Sequence, residues 1–269
     1  MAVGPSVSPG ATPDPVEPAR APGPVGVSGP VAQSAAAHVF VADLARPGLD
    51  DGDAHHLTHV LRLVTGQVVT ASDGAGRWRS CRFQRAPRAD PGASLEPNGP
   101  VNVEPRGEPP ITVAFTLMKG QRPEWVVQKL TELGVDVILP LISQRCVVRW
   151  EPGRADRHLS RLRRVAREAA MQSRRTWLPE VRQVSTFAQL AVTDEAMTRG
   201  CLACPGGDAP SLARPLVLVG PEGGWSPDEL ACGLPAISLG RTVMRAETAA
   251  LTAGVLLGGL RAGLVSPRR

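Results

Sequence analysis

The sequence predicts an α/β domain built on a parallel sheet, preceded by a small α+β module. Apolar runs of strand length occupy residues 111–118, 135–141, 216–220 and 236–240, and helical segments separate them. Strands that alternate with helices are typical of a parallel sheet covered on both faces. Upstream, residues 67–83 hold two short strands around a Gly-rich turn, which predicts a hairpin.

The composition is that of a globular protein with a basic surface. Its 269 residues are 42% hydrophobic but only 3% aromatic, so the core must consist of Val, Leu, Ala and Ile. The net charge is +5, and of the 30 basic residues only Lys119 and Lys129 are lysines. Arginine binds phosphate in a bidentate manner, although high-GC codon usage would explain the excess equally well.

Several classes of protein are disfavoured. No window approaches the roughly 18 apolar residues of a membrane span, and no basic start precedes an apolar segment as in a secretory signal. The five cysteines are odd in number and widely spaced, which argues against a disulfide framework. We therefore expect a cytoplasmic protein without membrane contact.

The N-terminal part divides into an extension and a small module. Residues 1–37 are rich in Pro, Gly, Ala and Ser, so we expect this extension to be disordered. The module is expected over 38–106, and the Pro-rich stretch 86–110 suggests a linker or long loop. A helix over 53–63 is predicted by apolar residues at helical spacing, namely Leu57, Val60, Leu61 and Val64.

The larger domain is expected over 107–269. An amphipathic helix over 123–134 ends at Gly134, a common C-terminal residue of helices. A long basic helix follows over 154–175, and a closing helix over 247–264. The density of arginines in the basic helix favours contact with phosphates over a merely solvated face.

A glycine-rich corner, "VGPEGGWSPDE", follows the strand at 216–220. It has neither the Gly-Lys-Ser/Thr of a Walker A loop nor the spacing of a dinucleotide fold. Ser226, Pro227 and Glu229 predict a helix start with a capping box. Because Asp228 and Glu229 already serve the positive end of that helix, the corner suits a neutral or cationic ligand, such as an adenosine or a sulfonium. A turn that needs glycine only for its backbone angles is the alternative.

A second corner, "ISLGRTVMRAETAAL", repeats the order of strand, glycine, polar loop and helix. Glu247 can serve the start of the closing helix. A cation is unfavourable at that position unless it has an anionic partner, so Arg245 indicates a functional role.

Together the two corners resemble the paired C-terminal motifs of the RsmE family. These are SAM-dependent methyltransferases of the SPOUT (trefoil-knot) class, which methylate N3 of a uridine in small-subunit (16S) ribosomal RNA. Further resemblances occur in the same order at residues 55–69, 118–135, 143–148 and 168–181. Trp225, Met244, Ala246 and Arg174 depart from the residues usual in the family, but no charged residue of the motifs is missing.

The resemblance implies a knotted parallel sheet after a β-rich, PUA-like RNA-binding domain, and a homodimer without a metal. Arg245 would stabilise the anion that forms at the uracil, and Glu247 would act as an acid, a base or an orienting group. The implied S-adenosyl-L-methionine pocket comprises Leu218, Gly220, Glu222, Gly223, Gly224, Leu239, Gly240, Met244, Arg245, Ala249 and Leu251. The implied RNA contacts comprise Lys119, Arg122, Arg145, Arg164, Arg167, Gln172, Arg174 and Arg175.

The function expected is methylation of N3 of a uridine in 16S rRNA within the 30S subunit. Two alternatives remain at this point: a SPOUT methyltransferase acting on another RNA, and a non-catalytic ribosome-binding protein of the same fold.

Two other motifs favour structural roles. His55 and His59 could form half of a zinc site, but no third ligand is near. Cys201 and Cys204 form a lone C-x-x-C that reads as a strand with buried thiols.

Overall fold

The computed structural model describes residue 1, residues 34–85 and residues 93–266. The disorder expected for the N-terminal extension falls almost entirely outside this described part. No helix within it is long and apolar enough to cross a membrane. The described chain forms two sheets, one before and one after residue 106.

The first sheet contains the predicted hairpin. Its strand order is β1-β2-β3-β4, with β5 paired to β3. The β2–β3 pair is antiparallel, as predicted, whereas β1 and β2 are parallel. The strands are β1 (Ala37–Phe40), β2 (Val68–Ser72), β3 (Arg77–Arg85), β4 (Ala93–Pro97) and β5 (Asn102–Val103).

For this module one expectation was wrong and another was confirmed only in part. The stretch 86–110 is not simply a linker, because β4 and β5 lie within it; only Leu95 of β4 is buried, so the strand has almost no hydrophobic signal. Residues 86–92 lie outside the described residues. The helix predicted over 53–63 is a short α1 (Asp51–His55) followed by a π-helical turn (His56–Val60). Leu57 is buried, but Val60, Leu61 and Val64 are exposed, so helical spacing did not predict which side chains pack.

The second sheet is parallel in every pairing, as predicted. Its order is β12-β10-β11-β6-β7-β8, with β9 paired to β7. The strands are β6 (Thr112–Thr116), β7 (Val137–Ile142), β8 (Glu180–Val181), β9 (Ser185–Thr186), β10 (Gly200–Asp208), β11 (Leu216–Val219) and β12 (Ala236–Ile237).

Helices cover both faces of this sheet because its strands alternate their apolar side chains. Val217 and Val219 face one core, which α2, α3 and α7 complete, whereas Leu216 and Leu218 face a second core around Phe187. The helices are α2 (Arg122–Glu132), α3 (Pro152–Gln172), α4 (Phe187–Ala191), α5 (Asp194–Arg199), α6 (Pro227–Leu230) and α7 (Ala246–Arg261).

The strand order brings the two glycine corners to one place. The first corner follows β11 and the second follows β12, and β10 lies between these two strands. Because neighbouring parallel strands end at the same edge of a sheet, the ends of β10, β11 and β12 enclose a common space. Gly134 ends α2 with a φ of +82°, as its predicted role requires.

Candidate functional site

The first corner begins α6 with the predicted capping box. The Ser226 hydroxyl accepts a hydrogen bond from the Glu229 backbone N–H at 3.2 Å, and the Glu229 carboxylate accepts one from the Ser226 N–H at 2.8 Å. Glu229 also accepts a hydrogen bond from the Gln144 N–H at 2.7 Å. Its buried carboxylate therefore joins the corner to the loop after β7 and leaves no room for a competing anion at this helix end.

Glycine at the first corner allows a tryptophan to pack against the backbone. A Cβ atom at Gly220 would lie 3.0 Å from Cε2 of Trp225, which is closer than ordinary contact. The indole Nε1 donates a hydrogen bond to the Ala203 carbonyl at 3.2 Å, so the ring links the corner to β10. Gly224 has a φ of +69°, a conformation that other residues rarely adopt.

A cavity of about 470 Å³ lies between the two corners and the middle of β10. Its wall is largely apolar, with bare backbone at the glycines. Seven of the residues predicted for the cofactor pocket belong to this wall: Gly220, Glu222, Gly224, Leu239, Gly240, Met244 and Ala249. The corners therefore form one binding space rather than two independent turns.

Four residues predicted for the pocket lie elsewhere. Leu218 points into the core on the opposite face of β11, so Val219 occupies the wall instead. Gly223 directs its carbonyl to Arg145, whose Nη1 donates a hydrogen bond at 3.0 Å. Leu251 packs against the core beneath α7, and Arg245 stands outside the wall at the start of that helix.

Arg245 is the N-cap residue of α7 and is exposed to solvent. Within the described residues its side chain has no hydrogen bond or ion pair. Glu247 lies in the first turn of the same helix, but its Oε1 lies 3.8 Å from Nε of Arg122. Arg122 also approaches Glu222, with 3.5 Å between Nη1 and Oε1. The predicted RNA contact Arg122 therefore faces two carboxylates at the cavity.

Sequence reasoning missed the part of the wall that β10 provides. Ala203, Cys204 and Pro205 line the cavity, as does Trp225. The C-x-x-C segment is a strand, as predicted, and burial raises the pKa of the Cys201 thiol to about 12. Cys204 is only half-buried, and burial raises its pKa as well. A third apolar run that ends near Pro205 was the available signal, but the sequence does not reveal that β10 lies between the two corners.

The basic residues predicted to contact RNA divide into two groups. Arg145 and Arg164 are exposed, as are Lys119 and Gln172. Arg167 instead binds the first module, with 2.6 Å between its Nη2 and Asp53 Oδ2 and a hydrogen bond to the Phe40 carbonyl.

Arg174 and Arg175 also contact the protein itself. Arg174 has a φ of +57° and donates to the Ala35 carbonyl at 2.6 Å. Arg175 is nearly buried, donates to the Thr131 and Val135 carbonyls, and lies 3.9 Å from Asp136. Burial lowers its pKa to about 10. Arg175 is thus a structural cation, and its predicted contact with RNA does not agree with its position.

His55, His56 and His59 lie at the surface of the first module, where the rings of His55 and His59 stack with 4.6 Å between centroids. Among the described residues no group of three or more His, Cys, Asp or Glu side chains could hold a metal ion.

The fold and the cavity together define an RNA methyltransferase with an appended PUA domain. Residues 106–258 match the family model of the RNA methyltransferase domain, and residues 49–88 match that of the RNA methyltransferase PUA domain. The chain belongs to the ribosomal RNA small subunit methyltransferase E family, which confirms the resemblance to RsmE proteins and the SPOUT-type fold.

Relatives in several bacteria support this membership. The Mycobacterium tuberculosis ribosomal RNA small subunit methyltransferase E is 34% identical over 223 residues, which cover 76% of this chain and 83% of that protein. The Synechocystis protein of the same name is 32% identical over 217 residues, covering 75% and 69%.

Among solved structures, the Neisseria gonorrhoeae ribosomal RNA small subunit methyltransferase E, bound to S-adenosyl methionine, is 27% identical. The match covers 83% of this chain and 97% of that one, with a TM-score of 0.69. A Legionella pneumophila methyltransferase in complex with the same cofactor is 26% identical, with a TM-score of 0.70 and the same coverage of both chains.

Proposed function

We propose that this protein transfers the methyl group of S-adenosyl-L-methionine (SAM) to N3 of a uridine in 16S rRNA of the small ribosomal subunit. The observation that carries this proposal is the cavity between the two glycine corners, with the exposed Arg245 beside it. The family membership supports the class of reaction and of substrate. Because its substrate is ribosomal RNA, we place the enzyme in the cytoplasm.

The cavity has the size and the chemistry that SAM requires. About 470 Å³ lies within the usual range for ligand pockets. Leu239, Met244 and Ala249 offer apolar contacts to a nucleoside, and Gly220 and Gly240 expose backbone groups that can bind a neutral base. At the first corner Ser226 and Glu229 already cap the helix end, which fits a ligand without a phosphate there.

When bound, SAM would supply an electrophilic methyl group on a cationic sulfur. The chain's own task is to place N3 of the uridine in line with that methyl group and to stabilise the negative charge that develops on the uracil as its N3 proton leaves. Arg245 is suited to the second task because it is a cation at the site with no competing partner among the described residues. Glu247 remains a candidate acid, base or orienting group, held near Arg122.

The RNA would follow the exposed basic residues around the cavity and along α3. Lys119, Arg145, Arg164 and Gln172 are open to solvent and can contact phosphates or bases. The first module, expected over 38–106, would bind RNA beside the catalytic domain expected over 107–269. Arg167 fixes the first module to α3 through Asp53, so both can present one surface.

We further propose a homodimer of the knotted domain, as in the family. Val255 of α7 and Leu264 and Val265 just beyond its end expose apolar side chains on the surface. A group of exposed apolar side chains at one end of a helix is a candidate surface for contact with a second copy. Sedimentation equilibrium should give twice the chain mass of 28.3 kDa; a monomer at micromolar concentration would contradict the dimer.

The substrate is tested by transfer of labelled methyl groups. Purified protein and labelled SAM are incubated with 30S subunits from cells lacking this gene, with 50S subunits and with transfer RNA. We expect label in 16S rRNA alone. Label in another RNA would favour a different SPOUT methyltransferase, and no label together with intact SAM binding would favour a non-catalytic ribosome-binding protein.

A further inference from the structure

The Arg122 guanidinium lies within ion-pair distance of two carboxylates beside the cavity. Glu222 belongs to the cavity wall after β11, and Glu247 to the first turn of α7, while Arg122 itself begins α2. The guanidinium lies 3.5 Å from Glu222 and 3.8 Å from Glu247. These distances fit ion pairs but exceed good hydrogen bonds. A single side chain therefore ties both corners to a third element by charge rather than by fixed geometry.

Neither carboxylate has another cation within ion-pair distance among the described residues. Glu247 depends on Arg122 most, because its side chain is only 14% exposed and its Oε2 is buried without a hydrogen-bond donor. Glu222 is 55% exposed and Arg122 is 47% exposed, so water screens their attraction without removing it. Loss of Arg122 would leave Glu222 and Glu247 without the one cation that lies within ion-pair distance of them among the described residues.

We propose that Arg122 sets the charge balance by which the site discriminates the methyl donor from the demethylated product. This inference rests on the proposed function, since it concerns the same cofactor. SAM carries a sulfonium and hence one more positive charge than S-adenosylhomocysteine. A more negative wall holds the cation more strongly than the neutral thioether, and Arg122 cancels part of that negative charge. Arg122 is thus a positioning residue that acts through Glu222 and Glu247.

The charge balance set by Arg122 also affects the rate of methyl transfer. Carboxylates without a compensating cation would stabilise the positively charged donor more than the transition state, which carries less charge on sulfur. A wall with such carboxylates lowers the KM for SAM and lowers kcat with it. Release of product would be fast in that case, because the neutral thioether gains nothing from the carboxylates.

The test is the ratio of two dissociation constants measured by calorimetry, Kd for S-adenosylhomocysteine over Kd for SAM. At low ionic strength Arg122→Ala should raise this ratio about fivefold, because one partly screened positive charge near the sulfonium is removed, and salt should reduce the change. Arg122→Lys should restore the wild-type ratio. Glu222→Gln should shift the ratio in the opposite direction, and Arg122→Ala combined with Glu222→Gln should return it near wild type.

Arg214→Ala is the matched control, since it removes the same charge just before β11, at the end of that strand opposite to the first corner. Arg214 donates to the Met197 and Gly200 carbonyls and has no carboxylate partner among the described residues, so its loss should leave the ratio within about twofold of wild type. Equal shifts from Arg122→Ala and Arg214→Ala would overturn the inference. So would a uniform weakening of both ligands in Arg122→Ala, which indicates a structural role. Wild-type protein that binds neither ligand would contradict the proposed function itself, and this inference with it.

Discussion

At the scale of single residues, Arg245 occupies a position that helix electrostatics disfavours. It is the N-cap of α7, where the partial positive charge of the helix repels a cation, and its side chain forms no capping hydrogen bond. The neighbouring Glu247 would suit that helix end, yet it lies near Arg122 instead. An exposed arginine retained at such a place is best explained by an anion that arrives with the substrate.

Arg245→Ala should therefore reduce the methylation rate at least about 100-fold, the usual loss when a group that stabilises developing charge is removed. SAM binding should persist, because Arg245 lies outside the cavity wall. Labelled methyl transfer and calorimetry measure the two quantities. Arg241→Ala, which removes an exposed arginine from the same loop, should keep most of the activity. Near wild-type turnover of Arg245→Ala would refute the assignment.

His38 predicts a pH dependence of stability. Its ring is buried, its Nδ1 lies 2.8 Å from the Thr70 hydroxyl, and burial lowers its pKa to about 4. The unfolded chain takes up this proton near pH 6.5, so between pH 6.5 and 4 it binds more protons than the folded one. The contribution of His38 to the free energy of unfolding is therefore complete above pH 6.5. It is lost as the pH falls, by about 2 kcal/mol at pH 5.

Urea unfolding at pH 7 and pH 5 measures this contribution. In His38→Gln the free energy of unfolding should fall by about 2 kcal/mol less than in wild type between pH 7 and pH 5. His55→Gln, which changes an exposed histidine, should leave the loss unchanged. Identical pH slopes for wild type and His38→Gln would show that the buried ring does not titrate as expected.

At the scale of elements, the arginines of α3 make different contacts. Arg161 pairs with Glu124 at 3.0 Å, Arg163 donates to the Val181 carbonyl, and Arg167 binds Asp53. These contacts attach the helix to α2, to β8 and to the first module. Arg157 and Arg164 remain exposed to solvent, and they are the residues of this helix that RNA phosphates can reach most readily.

The double variant Arg157→Ala and Arg164→Ala should weaken RNA binding and flatten its salt dependence. Each phosphate contact contributes about 0.7 to 0.9 to the slope of log K against log salt, so the slope should fall by about 1.5. Filter binding to 16S rRNA across a salt series measures it. The control is Arg199→Ala combined with Arg214→Ala, which removes the same charge just before β10 and β11, at the edge of the sheet opposite to the two corners. It should leave the slope unchanged. Equal slopes for both double variants would contradict a phosphate contact on α3.

A buried ion cluster joins three parts of the larger domain. Asp136 precedes β7 and accepts hydrogen bonds from the Ile111 N–H at 2.9 Å and from Arg261 at the end of α7, while Arg175 lies on its other oxygen. Asp136→Ala would leave two nearly buried cations without their partner. The free energy of unfolding should fall by about 3 to 5 kcal/mol.

Urea unfolding checks this value as well. Glu151→Ala is the control, because its ion pair with Arg154, at 3.3 Å, lies in solvent. It should cost less than about 0.5 kcal/mol. Comparable losses in the two variants would mean that the buried cluster adds little to stability.

At the scale of the whole molecule, local signals in the sequence predicted most of the elements that build the site. The alternation of apolar runs with helices indicated the parallel sheet, and Ser226, Pro227 and Glu229 indicated a helix start that the structure confirms. These features depend on neighbours within a few residues. The order of the strands in the sheet depends on contacts between residues far apart in sequence. The position of β10 between the two corners, and therefore the part of the cavity wall that Cys204 forms, could not be predicted.

Pairing between residues distant in sequence could not be predicted either. Arg122, Arg167 and Arg175 have the composition of an RNA-binding surface, but their carboxylate partners are distant in sequence. Leu218 was assigned to the cavity by its motif, whereas alternation along β11 turns it to the opposite face. A resemblance identifies the family, and only the packed structure shows which side chains line the cavity.

The measurement that tests the central claim most directly is nucleoside analysis of methylated 16S rRNA by mass spectrometry. Small subunits from cells lacking this gene are treated with SAM and either wild-type protein or Arg245→Ala, and the digested RNA is compared. A single new 3-methyluridine with wild type, and none with the variant, is the result we predict. A methyl group on another base or on ribose, or equal 3-methyluridine from both proteins, would contradict the mechanism proposed for this site.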